Sequence, residues 1–267
     1  MSFVLVDSPR PGVTLITLNR PERMNAMAFD VMIPLREALE KVSVDNETRV
    51  VVLTGAGHGF CSGADQQDAG VIPHIDGLTV PTIALRAMEL LDDVIRALRR
   101  MHQPVIGAIN GAAIGGGFCL SMATDIRLAS ETAYFRAAGI NNGLTSTELG
   151  LSYLLPRAIG SSRAFEIMLT GRDLDAAEAD RIGLVSQVVP ADELLEASFD
   201  VADRIISFSR PGVELTKRLM WSSYEAGSLQ GHMDAEGQAQ LFVRITTQNF
   251  EEATRARKEK RPPEFKD

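Results

Sequence analysis

Two glycine-rich stretches of this 267-residue chain have the residue types and spacing to do chemistry. The first is Gly59-Phe60-Cys61-Ser62-Gly63-Ala64-Asp65; the second is Ile109-Asn110-Gly111-Ala112-Ala113-Ile114-Gly115-Gly116-Gly117. Glycine leaves its backbone N–H unshielded, so such a loop can aim a donor at an oxygen that becomes negative during a reaction. Close packing of a strand on a helix also demands glycine, so one run alone carries little weight. A second run upstream adds the weight that one alone lacks. Phosphate cradling is the competing chemistry, and spacing argues against it. Gly55-Ala56-Gly57-His58-Gly59-Phe60 has Phe60 where a dinucleotide fingerprint has glycine or alanine, and the run at 115–117 fails the same test at Leu120. Neither loop ends in Gly-Lys-Ser/Thr, the signature of an ATPase phosphate loop. His58 and His102 have no metal-ligand spacing, and Gly-x-Ser-x-Gly is absent, so neither a metal centre nor a serine nucleophile is expected.

The elements that must hold these loops follow an α/β rhythm. Phe3–Asp7 and Val13–Asn19 read as a hairpin across the turn-forming stretch 8–12. Val31, Leu35, Ala38, Leu39 and Val42 recur at helical spacing, and 49–54 is a buried strand. Residues 66–80 form a polar, turn-rich loop, and Met88, Leu91, Ile95, Leu98 and Met101 a helical stripe that Pro104 terminates. Strand 105–109, helix 118–123 and strand 125–129 continue the rhythm, which predicts an α/β core over residues 1–190. Beyond it only helices are expected, over 193–208, 213–224, 232–245 and 250–260, with Pro211-Gly212 and Gly227 as breaks. A module of this size, 191–267, is too thin for a core of its own and must pack on the first domain or on another subunit.

Composition narrows the function classes. Hydrophobic residues at 45% and charged residues at 23% supply a full core and exclude disorder. A net charge of −8 argues against a nucleic-acid surface. Cys61 and Cys119 form no Cys-x-x-Cys pair, which points to a reducing compartment and no structural zinc. With no signal-peptide pattern at the start and no apolar run of spanning length, a soluble cytoplasmic protein is expected.

Larger stretches carry a more specific signal: Asn19-Arg20-Pro21-Glu22-Arg23-Met24-Asn25-Ala26, the 59–65 loop, Gln103 through Gly117, Cys119–Ala129, Leu155-Pro156-Arg157 through Leu169-Thr170-Gly171, Ala176-Ala177-Glu178 and Gly183-Leu184-Val185. In order and spacing, over about residues 13–190, the chain resembles the enoyl-CoA hydratase/isomerase (crotonase) superfamily. The resemblance implies a crotonase-like spiral of repeated ββα units with a C-terminal helical trimerisation module, assembled as a homotrimer or hexamer. It implies an acyl-CoA substrate, whose thioester oxygen is held by the backbone N–H groups of Ala64 and Gly116, and no further cofactor. By the same resemblance, Ser62 meets the adenine of coenzyme A through its backbone, Asp65 supports that loop, and Lys260 and Arg261 reach the phosphates of coenzyme A on a neighbouring subunit.

The proton-handling residues depart from the family pattern. Hydratases follow the glycine run as Gly-Gly-Gly-x-Glu, and here Cys119 holds that place; their second glutamate, in Pro-Glu-Ile, is replaced by Gly139. Cys119, between Phe118 and Leu120, reads as a small core residue. One carboxylate remains. Glu148, in Asn141 through Leu151, is similar to the later-loop acid of dienoyl-CoA isomerases and some C–C hydrolases, which moves a substrate proton. Thr145-Ser146-Thr147-Glu148 equally has the spacing of a capping box. Asn141 and Asn142 fit either an orienting role or the turn itself; Asp68, His74 and Asp76 fit a solvated loop. Family membership implies hydration of a 2-enoyl-CoA, whereas a single acid suits isomerisation, or a specialised hydration or hydrolysis. The alternative is a silent acyl-CoA binder that keeps the loops without the chemistry.

Overall fold

The computed structural model describes residues 2–266. β1 (Val4–Arg10) and β2 (Val13–Leu18) form an antiparallel hairpin that turns at Pro11-Gly12, with Gly12 at φ +76°. β1 runs past the expected end at Asp7, because an irregularity in register between Asp7 and Arg10 accommodates Pro9 within an edge strand. α1 (Phe29–Ser43), β3 (Val50–Gly55), β4 (Gly59–Cys61) and α2 (Val80–Arg100) follow. Next come β5 (Val105–Ile109), β6 (Ala112–Ile114), α3 (Gly116–Ala123), β7 (Ile126–Ser130) and β8 (Tyr134–Arg136). α4 (Leu151–Ile159), α5 (Ser161–Thr170), β9 (Leu174–Asp175), α6 (Ala176–Arg181) and β10 (Gln187–Val189) close the core. The chain ends in α7 (Leu194–Ile206), α8 (Arg210–Ser223), α9 (Leu229–Thr246) and α10 (Asn249–Glu259).

Six strands form one sheet in the order β1-β2-β3-β5-β7-β10, parallel except at the hairpin, and four form a second in the order β4-β6-β8-β9. β3, β5 and β7 each hand the chain directly to β4, β6 and β8, so it climbs from the large sheet to the small one at three successive levels. This is the spiral of ββα units that the resemblance implied. β3 and β5 are buried along their length because both faces are covered. Val51 and Leu53 pack toward α1 and α3, while Val50 and Val52 pack toward Leu194, Phe199 and Ala202 of α7. Period-two alternation therefore serves two apolar layers, which is why the sequence of β3 shows no polar face.

Differences from the expected elements have local causes. α2 begins at Val80, well before its stripe, since Pro81 in its first turn needs no helical hydrogen bond and its first half buries no residue. Pro211-Gly212 does not break a helix; it lies in the first turn of α8, where the Ser209 hydroxyl accepts from Gly212 N–H at 3.2 Å. Ser228 caps α9 in the same way through Gly231. α7 packs on the large sheet, whereas α9 buries no residue and exposes Leu241, Phe242 and Ile245. Among the described residues no helix is long and apolar enough to cross a membrane.

Candidate active site

The parallel strands β3 and β5 end at Gly55 and Ile109, and the loops beyond them lead to Ala64 and Gly116. Residue 64 lies in an extended bridge with Met27: Met27 N–H donates to Gly63 O at 2.7 Å and Asp65 N–H to Met27 O at 3.0 Å. Successive backbone groups of an extended segment point to opposite sides, so the Ala64 N–H faces away from Met27. Gly116 is the first residue of α3 and its N–H is one of the donors that a helix leaves unpaired. Neither N–H donates to a protein acceptor among the described residues. The positive end of the α3 dipole adds to the attraction for a negative oxygen there. The two loops touch. A Cβ at Gly63 would lie 2.6 Å from Ile114 O and 3.5 Å from Gly116 N, so the approach depends on glycine at 63.

Asp65 supports this loop from beneath. Its buried carboxylate binds Arg23 through both oxygens (Nη2–Oδ1 2.5 Å, Nε–Oδ2 3.2 Å) and Arg20 at 3.0 Å, and accepts from the N–H groups of Gln67 and Asp68. The Arg23 hydrogen bonds, then the Gln67 N–H, hold its pKa far below the usual carboxylate range. Folded Asp65 prefers the charged form, so its contribution to stability is present above about pH 4 and is lost as pH falls through the depressed value. With both oxygens committed, the Asp65 side chain shapes the 62–68 loop and has no oxygen left over for a ligand. Ser62 spends its N–H on Met24 O and its hydroxyl on Arg23 O, while its carbonyl accepts from no group among the described residues. Sequence reasoning overlooked that the arginines brace Asp65 and that Asn25, fully buried at φ +54°, ties the same turn to Ala56 O and Gly59 O. The signal was present in the 19–26 stretch, but its pairing across 45 residues is a tertiary fact.

Glu148 joins the two loops. A Cβ at Gly115 would lie 3.4 Å from Glu148 Oε1, 3.7 Å from Ala138 Cβ and 4.0 Å from Gly63 Cα, so the carboxylate stands beside the residue preceding the Gly116 donor. Half-buried, it has no ion pair and no side-chain hydrogen bond among the described residues, and burial alone raises its pKa. The capping box is not formed. α4 starts at Leu151 behind an N-cap of Gly150 at φ +81°, and no side chain caps it. Ser146 is the bonded residue of this loop: its hydroxyl accepts from Ile140 N–H and donates to Ala137 O, each at 3.1 Å. Thr145→Ala is therefore expected to change stability by no more than about 0.5 kcal/mol in denaturant titration, as for an exposed residue without a role. A loss near 1 kcal/mol would reinstate the cap.

The replacement at 139 is explained by the same loop. A Cβ at Gly139 would lie 1.9 Å from Thr145 O, so the segment that carries Glu148 fills the space a second glutamate would need. Cys119 is fully buried, and burial together with the Glu148 charge holds its thiol well above the ordinary value. Asn141 lies against Gly171 at the end of α5 and braces the turn.

The tail cations differ from one another. Arg261 is bound to Glu252 at 2.6 Å and Glu259 at 2.7 Å, whereas Lys260, in a left-handed C-cap, forms no ion pair among the described residues. Among the described residues no hydrogen bond or ion pair links either to Ser62, Ala64, Gly116 or Glu148. Among the described residues no cluster of three or more His, Cys, Asp or Glu could hold a metal ion. A cavity of about 800 Å³ lies at the opposite ends of the strands, walled by Pro104, Asp125, Lys217 and Trp221. Its polar groups satisfy one another: Lys217 Nζ binds Asp125 and Gln103 O at 2.8 Å, and Trp221 Nε1 binds Asp125 at 2.5 Å.

The family model for enoyl-CoA hydratase/isomerase matches residues 9–267. A Mycobacterium bovis protein described as a probable enoyl-CoA hydratase is 69% identical over all of this chain and 94% of its own length. The crystal structure of a probable enoyl-CoA hydratase/isomerase from Mycobacterium abscessus, 68% identical, superposes with a TM-score of 0.96 over 100% of this chain and 99% of its own. A structure described as a monofunctional enoyl-CoA isomerase from M. smegmatis is 62% identical with a TM-score of 0.75, over 87% of this chain and 99% of its own.

Proposed function

The chain belongs to the enoyl-CoA hydratase/isomerase family, and within that family we propose that it moves the double bond of a 3-enoyl-CoA to the 2-position with Glu148 as sole proton carrier. It is an enzyme of acyl-CoA chemistry, and the relatives' names cover both hydration and isomerisation. One observation carries the narrower reading: a single half-buried carboxylate stands beside two unpaired backbone donors, while both hydratase acid positions hold groups that cannot replace them.

The chemistry follows from those groups. Ala64 and Gly116 N–H polarise the thioester carbonyl, and Glu148 takes a proton from C2. The released electron pair spreads over a dienolate whose charge rests on the thioester oxygen between the two donors. Glu148 then returns the proton to C4, the double bond settles between C2 and C3, and the carboxylate is regenerated. A raised pKa suits this exchange, because the same group must accept and give back one proton. The step is redox-neutral and calls for no cofactor beyond the coenzyme A of the substrate. In this reading the Ser62 carbonyl and Lys260 meet the coenzyme, and the apolar residues exposed on α9 meet other subunits in a cytoplasmic homotrimer or hexamer.

The test is a comparison of substrates. Purified protein is expected to convert 3-enoyl-CoA to the conjugated 2-enoyl-CoA, followed by ultraviolet absorbance. Hydration of crotonyl-CoA is expected to be at least ~100-fold slower, the low end of one acid–base contribution. Hydration at a comparable rate would refute isomerisation as the main reaction. Tight acyl-CoA binding without turnover would leave a silent binder.

A further inference from the structure

We infer that Cys119 is a positioning residue for Glu148, its thiol hydrogen bond fixing the Glu148 peptide so that the carboxylate stands over Gly115. The inference rests on the reading of Glu148 as proton carrier. Cys119 Sγ donates to Glu148 O at 3.5 Å, and that oxygen also accepts from Leu151 N–H at 2.8 Å, so both its lone pairs are used. No other side chain bonds to the backbone of 147–149 among the described residues. The carboxylate itself has no partner to hold it, so its place is dictated by the backbone beneath it.

The surrounding geometry needs such a tether. Leu149 adopts φ +45°, a left-handed conformation that a bulky residue seldom takes unless its surroundings enforce it. That inverted turn buries Leu149 against Gly116, where a Cβ would lie 3.5 Å from Leu149 Cδ1, and leaves Glu148 facing Gly115. Ser146 stitches the upstream side of the loop to Ala137 and Ile140, and Cys119 holds the downstream side to α3. The helix that supplies the Gly116 donor thus also fixes the acid, one turn further along. Burial keeps the thiol protonated, hence a donor, throughout the working range, and too inert to act as a nucleophile.

Other ionisable groups near the loop are already committed. Asp65 is bound to Arg20 and Arg23, and Arg136 on β8 to Asp173; Cys119 on α3 is the titratable neighbour that senses the Glu148 charge, with the Cys61 thiol on β4 next to it and kept neutral by burial. Loosening the peptide would let water reach the carboxylate, which lowers its pKa toward the ordinary value.

The experiment measures kcat, KM and the pH profile on 3-enoyl-CoA for Cys119→Ala, Cys119→Ser and Glu148→Gln. Cys119→Ala is expected to lower kcat about fivefold, the worth of one modest hydrogen bond, with KM unchanged and the acidic limb shifted to lower pH. Cys119→Ser restores a donor and is expected to return the limb to its wild-type position. Equal impairment of both variants with the limb unmoved would mean packing alone and overturn positioning, as would wild-type kinetics in Cys119→Ala beside an inactive Glu148→Gln. An active Glu148→Gln would remove the proton carrier, and the need to position it, so the two failures appear in different variants.

Discussion

Glu148→Gln is expected to lower kcat for 3-enoyl-CoA by about 10²- to 10⁴-fold, the contribution of a positioned acid–base group, with little change in KM. Glutamine preserves the shape and removes only the ability to carry the proton. The wild-type profile gives an independent check. The carboxylate must be ionised to take the C2 proton, and burial disfavours its charged form, so activity rises with pH through a midpoint above the ordinary glutamate value of about 4.3. The sign for stability is opposite to that of a salt-bridged acid. A raised pKa means that the folded state binds the proton more tightly than the unfolded chain, so ionisation at neutral pH costs stability and acidification through the raised value relieves that cost. Glu148→Gln should therefore melt at the wild-type temperature or slightly above it. A group kept for structure would give the reverse pattern, normal kcat and a lowered melting temperature.

How much of this was legible in the sequence depends on the range over which each feature is determined. The glycine loops, the buried runs of β3 and β5, and the helical tail are local patterns and were readable as such. The strands β4, β6 and β8 were not, since three residues carry too little alternation to register. Loss of the two hydratase acids was visible at Cys119 and Gly139, but the reason for it was not. Only the fold places Thr145 O where a side chain at 139 would have to go, and only the fold sets Cys119 against the Glu148 peptide. The capping-box spacing of Thr145 and Glu148 offered an alternative that does not form, for a related reason. A cap requires the helix to start at the next residue, and the left-handed pair Leu149-Gly150 delays α4 until Leu151. The Asp65 brace needed Arg20 and Arg23 from a distant turn, a contact no spacing rule reports.

Gly63→Ala is expected to lower kcat about 10²- to 10³-fold although it alters no group that touches substrate, as severe as losing one oxyanion donor. Backbone donors cannot be deleted by substitution, but their separation can be changed. At Gly63 φ is +82° and a Cβ would meet Ile114 O at 2.6 Å, a backbone atom that no rotamer change can move. The 62–65 loop must therefore lift from the β6–α3 junction, carrying Ala64 N–H away from Gly116 N–H. Part of any defect would be the strain of alanine in a left-handed conformation, so a matched control is needed. Gly183 has φ +77° with no atom within 4 Å of the added Cβ, and it lies beyond α6, outside the site. Gly183→Ala is expected to lose about 1 kcal/mol of stability with kcat unchanged. Circular dichroism and acyl-CoA affinity would confirm that Gly63→Ala remains folded and still binds ligand. Wild-type turnover in that variant would refute the pairing of Ala64 with Gly116, because the donors could not both survive the displacement that the added methyl group imposes.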